Sequence, residues 1–210
     1  DIPVKTITTQ LAREMIEEFE DMGNVGSTVN AKISALNMML KTSAQEGWID
    51  TLPFIKRRSV GTHRIRWFDN EEELKMTHTC ESLGLLALKD FIIVAMDTGF
   101  RRMELLDFTV KEYYSGMLHL HPDETKTSTA RAIPASARVA AIIEQRRFNE
   151  RLFDDLTYST LRTQWELLRN TMGKQKDAQF VVHALRHTCA SRFAMLDKSA
   201  QFIQAWLGHA

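Results

Sequence analysis

The stretch LGLLALKDFIIVAMDTGFRRMELLDF, Leu83 to Phe108, decides how the fold is read. From Leu83 to Asp97 it is apolar almost all round, the pattern of a helix buried on every side. Thr98-Gly99 breaks the run. Arg101 to Phe108 then reads as a short helix carrying Glu104, Leu105 and Leu106. A buried helix that ends in a glycine turn delivers charged residues to the edge of a core. Lys89 and Asp90 interrupt the apolar run, so it falls short of the roughly 18 residues a membrane helix needs.

Working outward, Thr109 to Pro134 changes period. Met117-Leu-His-Leu-His121 alternates, as does Ala130-Arg-Ala-Ile133, with polar Asp123 to Thr129 between them, which is a β-hairpin signature. Helical spacing returns at Ser136–Arg147 and Ser159–Met172, and again at His183–Met195 and Ser199–Leu207. Towards the N-terminus, Asp69 reads as a helix cap with Glu72 facing back. Thr8–Met22 places Leu11, Met15, Phe19 and Met22 on one face, and Glu14, Glu17, Glu18 and Asp21 on the other. Ser27–Glu46 carries the stripe Val29, Ile33, Leu36, Leu40 and Ala44. Trp48, Ile49, Leu52 and Phe54 then read as an apolar return onto those two helices. Between the halves, Lys56, Arg57, Arg58, Arg64 and Arg66 stand with His63 and no acid. That run is either a solvated linker or a strap across a phosphate backbone. The expectation is a mostly α fold with a small antiparallel sheet, in two domains: 1–58, a basic linker 59–66, and 67–210.

Composition narrows the class. The chain has 210 residues, 44% hydrophobic and 26% charged, so it can bury a core. Twenty-seven basic and 27 acidic residues cancel, which excludes a simple polycation but not a local basic surface. Cys80 and Cys189 are far apart and form no CxxC, which argues against a disulfide framework or structural zinc and fits a reducing cytoplasm. No signal peptide is visible, and the sequence shows no phosphate-binding glycine loop.

Four clusters could carry chemistry. Arg101 and Glu104 are three apart and share a helix face. Lys126 stands in the hairpin tip, with Arg131 behind it. His183, Arg186 and His187 lie within about one helical turn. Leu207-Gly-His209 closes the sequence. His183 and His187 have the spacing of a metal-binding helix. However, Ala184 sits where that motif has its glutamate, Arg186 lies between the ligands, and no third ligand is evident. Arginine forks match phosphate oxygens, histidine moves protons near neutrality, and a lysine can protonate a leaving oxygen. The set suits phosphoryl transfer in which cationic side chains replace a metal.

These pieces, in this order, resemble the tyrosine recombinases of the phage integrase family. Thr98-Gly-Phe-Arg-Arg-Met-Glu-Leu-Leu is similar to the first arginine box, Lys126-Thr with Arg131-Ala-Ile-Pro134 to the hairpin lysine segment, His183-Ala-Leu-Arg-His-Thr to the HxLRH box, and Leu207-Gly-His209 to the LGH box. Asn30 to Asp50 resembles, less specifically, the family's helical core-binding domain. The resemblance implies a core-binding domain followed by a catalytic domain. Arg101 and Arg186 would hold the non-bridging phosphate oxygens, Lys126 would protonate the leaving 5′-oxygen, His183 would act as general base, and His209 would hydrogen-bond the phosphate. Glu104 and His187 would support them. Lys56, Arg57, Arg58, Arg64, Arg66, Arg102 and Arg131 would contact DNA. The implied activity is site-specific cutting and rejoining of DNA through a 3′-phosphotyrosyl link, without cofactor, metal or ATP. The implied partners are double-stranded DNA held in a clamp, three further copies in a tetramer, and accessory DNA-bending proteins. The implied setting is a bacterial host's cytoplasm, at the nucleoid when DNA-bound.

One departure matters. The family's nucleophilic tyrosine lies roughly two to three helical turns beyond the LGH histidine. Tyr113, Tyr114 and Tyr158 all precede the HxLRH box, so none takes that place. With Asp1 as first residue and Ala210 as last, the expectation is that both ends are cut from something longer. The rival readings are a non-catalytic DNA-binding relative, a metallohydrolase using His183 and His187, and a relaxing topoisomerase with the same chemistry.

Overall fold

The structure is a computed structural model that describes residues 2–60, 66–121 and 130–208. It divides into two compact units, 1–64 and 65–210.

In the first unit, α1 (Thr9–Asp21) is capped by Thr8, whose hydroxyl accepts from the Leu11 N–H. Next, α2 (Gly26–Gln45) starts one residue before Ser27 and has no side-chain cap. The small core joins Ile16, Val29 and Ile33, with Phe19 and Ile55 packed on it. The apolar return is corrected by the structure. Trp48, Leu52 and Phe54 are exposed, Phe54 to 72%, and only Ile55 reaches the cluster. Two helices bury only this small cluster, too little apolar surface to cover the remaining return residues.

The second unit holds the large core. Asp69 caps α3 (Asn70–Ser82) by accepting from the Glu72 N–H. The Glu72 carboxylate does not face back to the cap but pairs with Arg66. The buried run of Leu83 to Asp97 opens with a turn at Gly84, after which α4 (Leu86–Thr98) buries Leu88, Phe91, Ile92, Val94, Ala95 and Met96. Gly99 ends it with φ +68°, a left-handed residue that glycine adopts without strain. Then α5 (Arg102–Asp107) follows.

Strands β1 (Tyr113–Tyr114), β2 (Met117–Leu120) and β3 (Arg131–Pro134) form an antiparallel sheet in the order β1-β2-β3. Leu118 pairs with Ile133 and Leu120 with Arg131, which turns Leu118, Leu120 and Ile133 into the core. Beyond lie α6 (Ala137–Gln145), α7 (Tyr158–Thr171), α8 (His183–Met195) and α9 (Ala200–Leu207). Ser136, Thr157 and Ser199 cap α6, α7 and α9 with their hydroxyls. Helix α8 packs against α4, and Phe193 of α8 locks α9 in place through ring contacts with Phe202 at 5.3 Å and Trp206 at 4.7 Å. Among the described residues, no helix is long and apolar enough to cross a membrane.

Candidate functional site

The site forms where the C-terminal ends of α4 and α9 meet the buried face of α8. Arg186 projects from α8 and is only 4% exposed. Its Nη1 donates to the Gly99 carbonyl at 2.7 Å and its Nη2 to the Leu207 carbonyl at 2.6 Å. Both acceptors are helix-end carbonyls that lack intrahelical partners. Alongside, the Trp206 indole N–H donates to the Thr98 carbonyl at 2.9 Å. The two helix ends are thereby held at a fixed separation.

Arg101 follows directly from the Gly99 turn. Its Nη1 donates to Glu104 Oε1 at 2.7 Å and its Nη2 to the Gly208 carbonyl at 3.2 Å. Glu104 is 6% exposed and also accepts the Arg101 backbone N–H at 2.8 Å. Burial pushes its carboxyl up. The hydrogen bonds from Arg101 and Arg131 outweigh that, so it lies below the ordinary value and stays ionised.

The electrostatics are lopsided. Among the described residues Arg186 touches carbonyls but no carboxylate, and both burial and the neighbouring Arg101 charge lower it to about 10. It is still cationic at neutral pH, but strained. Arg101, Arg131 and Arg186 surround the single carboxylate of Glu104, so three positive charges meet one negative charge. A guanidinium has five N–H groups. Arg101 and Arg186 each commit two to described partners, which leaves three apiece.

His183 opens α8 beside this cluster. Desolvation of its packed side, then the charges of His187, Arg186, Arg101 and Arg102, hold its imidazole below the ordinary 6.5. His187 is lowered too, by burial and then by Arg186. The two rings pack edge to face, 4.8 Å between centroids. Among the described residues, no three histidine, cysteine or carboxylate groups cluster as a metal site.

Other expected residues lie elsewhere. Lys126, His209 and Arg64 fall outside the described residues. Arg102 is exposed and stacks on the Tyr158 ring at 4.3 Å. Lys56 and Arg57 are exposed, and Arg57 donates to Ser34 Oγ at 2.5 Å. Three arginines expected at DNA already hold acidic partners. Arg58 forks onto Glu20 at 2.6 and 2.8 Å. Arg66 pairs with Glu72 at 2.5 Å and Asp177 at 3.1 Å, so carboxylates already neutralise it. The Arg131 side chain is 6% exposed and bound to Glu104. Sequence reasoning missed the acceptor role of Gly99, Leu207 and Gly208. The signal was present: a glycine after an apolar helix run marks a C-cap, and C-caps expose carbonyls.

Comparison with known proteins gives the family and the fold. The model of the phage integrase family matches residues 66–210. No curated protein matches the chain. Among solved structures, the Tn1549 transposon integrase in complex with a circular intermediate DNA superposes with a TM-score of 0.80 at 20% identity, covering 100% of this chain and 80% of that one. A lambda integrase dimer bound to a COC′ core site gives 0.78 at 21% identity, covering 100% of this chain and 63% of that one. A lambda integrase tetramer bound to a Holliday junction gives 0.73 at 20% identity, covering 100% and 66%.

Proposed function

The chain belongs to the phage integrase family of tyrosine recombinases, and from that premise we propose that it grips one DNA phosphodiester for strand transfer through a 3′-phosphotyrosyl intermediate. The observation that carries this reading is the pair Arg101 and Arg186. Eighty-five residues apart in sequence (186 minus 101), they reach successive carbonyls of one helix end, Leu207 and Gly208. Three guanidiniums against one carboxylate leave a formal charge of +2, which matches the doubly negative phosphorane formed when an oxyanion adds to a phosphodiester. Donors held in advance where that charge grows stabilise the transition state without reorganising.

In this reading a tyrosine hydroxyl, outside the four family-like segments, attacks the scissile phosphorus. His183, neutral at pH 7, takes the tyrosine proton as the new P–O bond forms. Lys126 gives a proton to the 5′-oxygen as its P–O bond breaks. Arg101 and Arg186 hold the non-bridging oxygens, and His209 donates to one of them. Glu104 orients Arg101. The ester bond energy is kept in the phosphotyrosyl link, so a second DNA 5′-hydroxyl can reverse the step. The partner is double-stranded DNA, and the relatives solved as a dimer and a tetramer on DNA support assembly of several copies there.

The test is attachment of the full-length gene product to a nicked suicide DNA in the presence of EDTA. A covalent adduct that survives denaturation supports the proposal. DNA binding without any adduct favours the non-catalytic relative, and cleavage that EDTA abolishes favours a metallohydrolase.

A further inference from the structure

Arg131 sits where alternation puts it, two residues before buried Ile133 and so on the same, core-facing side of β3. Its Nη2 donates to Glu104 Oε2 at 2.5 Å. Its guanidinium carbon lies 5.5 Å from the ring centre of Phe100, the residue before Arg101. Its Nη1 stands against Gly208, where a Cβ would overlap it. Among the described residues, Nε and Nη1 are buried with no hydrogen-bond partner. A buried cation with unpaired donors costs stability. A surface position for the same arginine would avoid that cost.

We infer that Arg131 is a positioning residue for strand transfer: it holds Glu104 in place so that the other carboxylate oxygen aims Arg101. This rests on the phosphodiester reading above. Glu104 has two cationic partners, one on each oxygen. Remove Arg131 and one oxygen of a buried carboxylate loses its cation. The carboxylate then turns or takes up a proton, and Arg101 loses its fixed direction.

The experiment is a double-mutant cycle on single-turnover cleavage of suicide DNA, with Arg101→Ala, Arg131→Gln and the pair combined. Arg131→Gln is expected to slow cleavage roughly 10- to 100-fold, the scale of a misplaced catalytic group, with DNA affinity unchanged. Arg131→Lys, which keeps the charge but not the fork, is expected to recover part of the rate. The combined variant is expected to be no slower than Arg101→Ala alone, because Arg131 acts through Arg101. Multiplying defects overturn the inference. If Arg131→Gln fails to fold, Arg131→Lys runs in the same cycle with the same criterion. Cleavage by the unaltered protein with additive defects sinks only the role of Arg131. No cleavage by the unaltered protein sinks the phosphodiester reading and this role with it.

Discussion

Arg186 and Gly99, 87 residues apart, are joined by a 2.7 Å hydrogen bond from the α8 guanidinium to the carbonyl that ends α4. A second bond from the same group holds the Leu207 carbonyl. Arg186→Ala removes both bonds and, in the proposed reading, the phosphate ligand with them. Covalent attachment to suicide DNA is expected to slow steeply, while binding to intact duplex, set by many backbone contacts, stays largely intact. Arg186→Lys is expected to rescue little, since one ammonium cannot span two carbonyls and a phosphate. Attachment at the unaltered rate by either variant removes Arg186 from the site.

Gly99 and Gly116 offer a matched comparison. Both have left-handed φ, +68° and +74°. A Cβ at Gly116 meets nothing within 4 Å, whereas at Gly99 it lands 2.5 Å from Leu207 Cδ2 and 3.0 Å from Cys189 Sγ. Gly116→Ala is expected to cost about 1 kcal/mol from backbone strain alone. Gly99→Ala should cost about 2–4 kcal/mol, adding displacement of a packed core. Thermal unfolding reads both, and equal losses contradict this packing around Gly99.

The histidines set a pH dependence. His183 titrates below 6.5, and in the proposed mechanism its neutral form is the base. Cleavage is therefore expected to be full at pH 7 and to fall as pH drops through the His183 pKa. Replacing His183 with glutamine should lower the rate and flatten that acid limb. Stability moves the same way. Because the folded state binds these protons less tightly than the unfolded chain, the contribution of His183 and His187 is complete above 6.5 and is lost as pH falls through their folded values. A protein that grows more stable on acidification through that window contradicts the assignment.

Lys56, Arg57 and Arg58 differ in what already holds them. Arg58 is forked onto Glu20, while Lys56 and Arg57 are exposed. Replacing Lys56 and Arg57 with alanine is expected to weaken DNA binding and to reduce the salt slope by about one unit for every phosphate these side chains neutralise. Arg58→Ala should change that slope much less. A slope unchanged by the first pair makes this stretch a plain linker.

Lys126 has a direct chemical test. Lys126→Ala should slow cleavage of ordinary DNA. A substrate whose 5′-leaving atom is sulfur, which departs without a proton, should restore the rate. If the sulfur substrate gives no recovery, the general-acid role is wrong.

Much of the fold is legible in the sequence because it is built from strong local signals. The all-apolar run ending at Gly99 locates α4 and its cap, and the ranges opening at Ser136 and Ser199 place the starts of α6 and α9 to within a residue. The hairpin strands follow from alternation, but the two-residue β1 is too short to show a period. Tertiary pairing is what local patterns leave out. The acidic partners of Arg58 and Arg131, and the second one of Arg66, lie 38, 27 and 111 residues away. Trp48, Leu52 and Phe54 read as core because hydrophobicity does not say whether a two-helix unit has room for them. Arg131 was decodable. Its parity with Ile133 places it inward, and only the habit of putting arginine on the surface hides that.

The central claim is that Arg101 and Arg186 act by neutralising charge on one phosphate. The direct measurement is single-turnover cleavage of suicide DNA with a neutral methylphosphonate at the scissile position, by the unaltered protein and by the Arg101→Ala and Arg186→Ala variants. Removing one oxygen's charge from the DNA is expected to shrink the defect of an arginine deletion by roughly tenfold or more, about 1.4 kcal/mol of transition-state charge stabilisation. A defect of the same size on the charged and the neutral phosphate contradicts the claim.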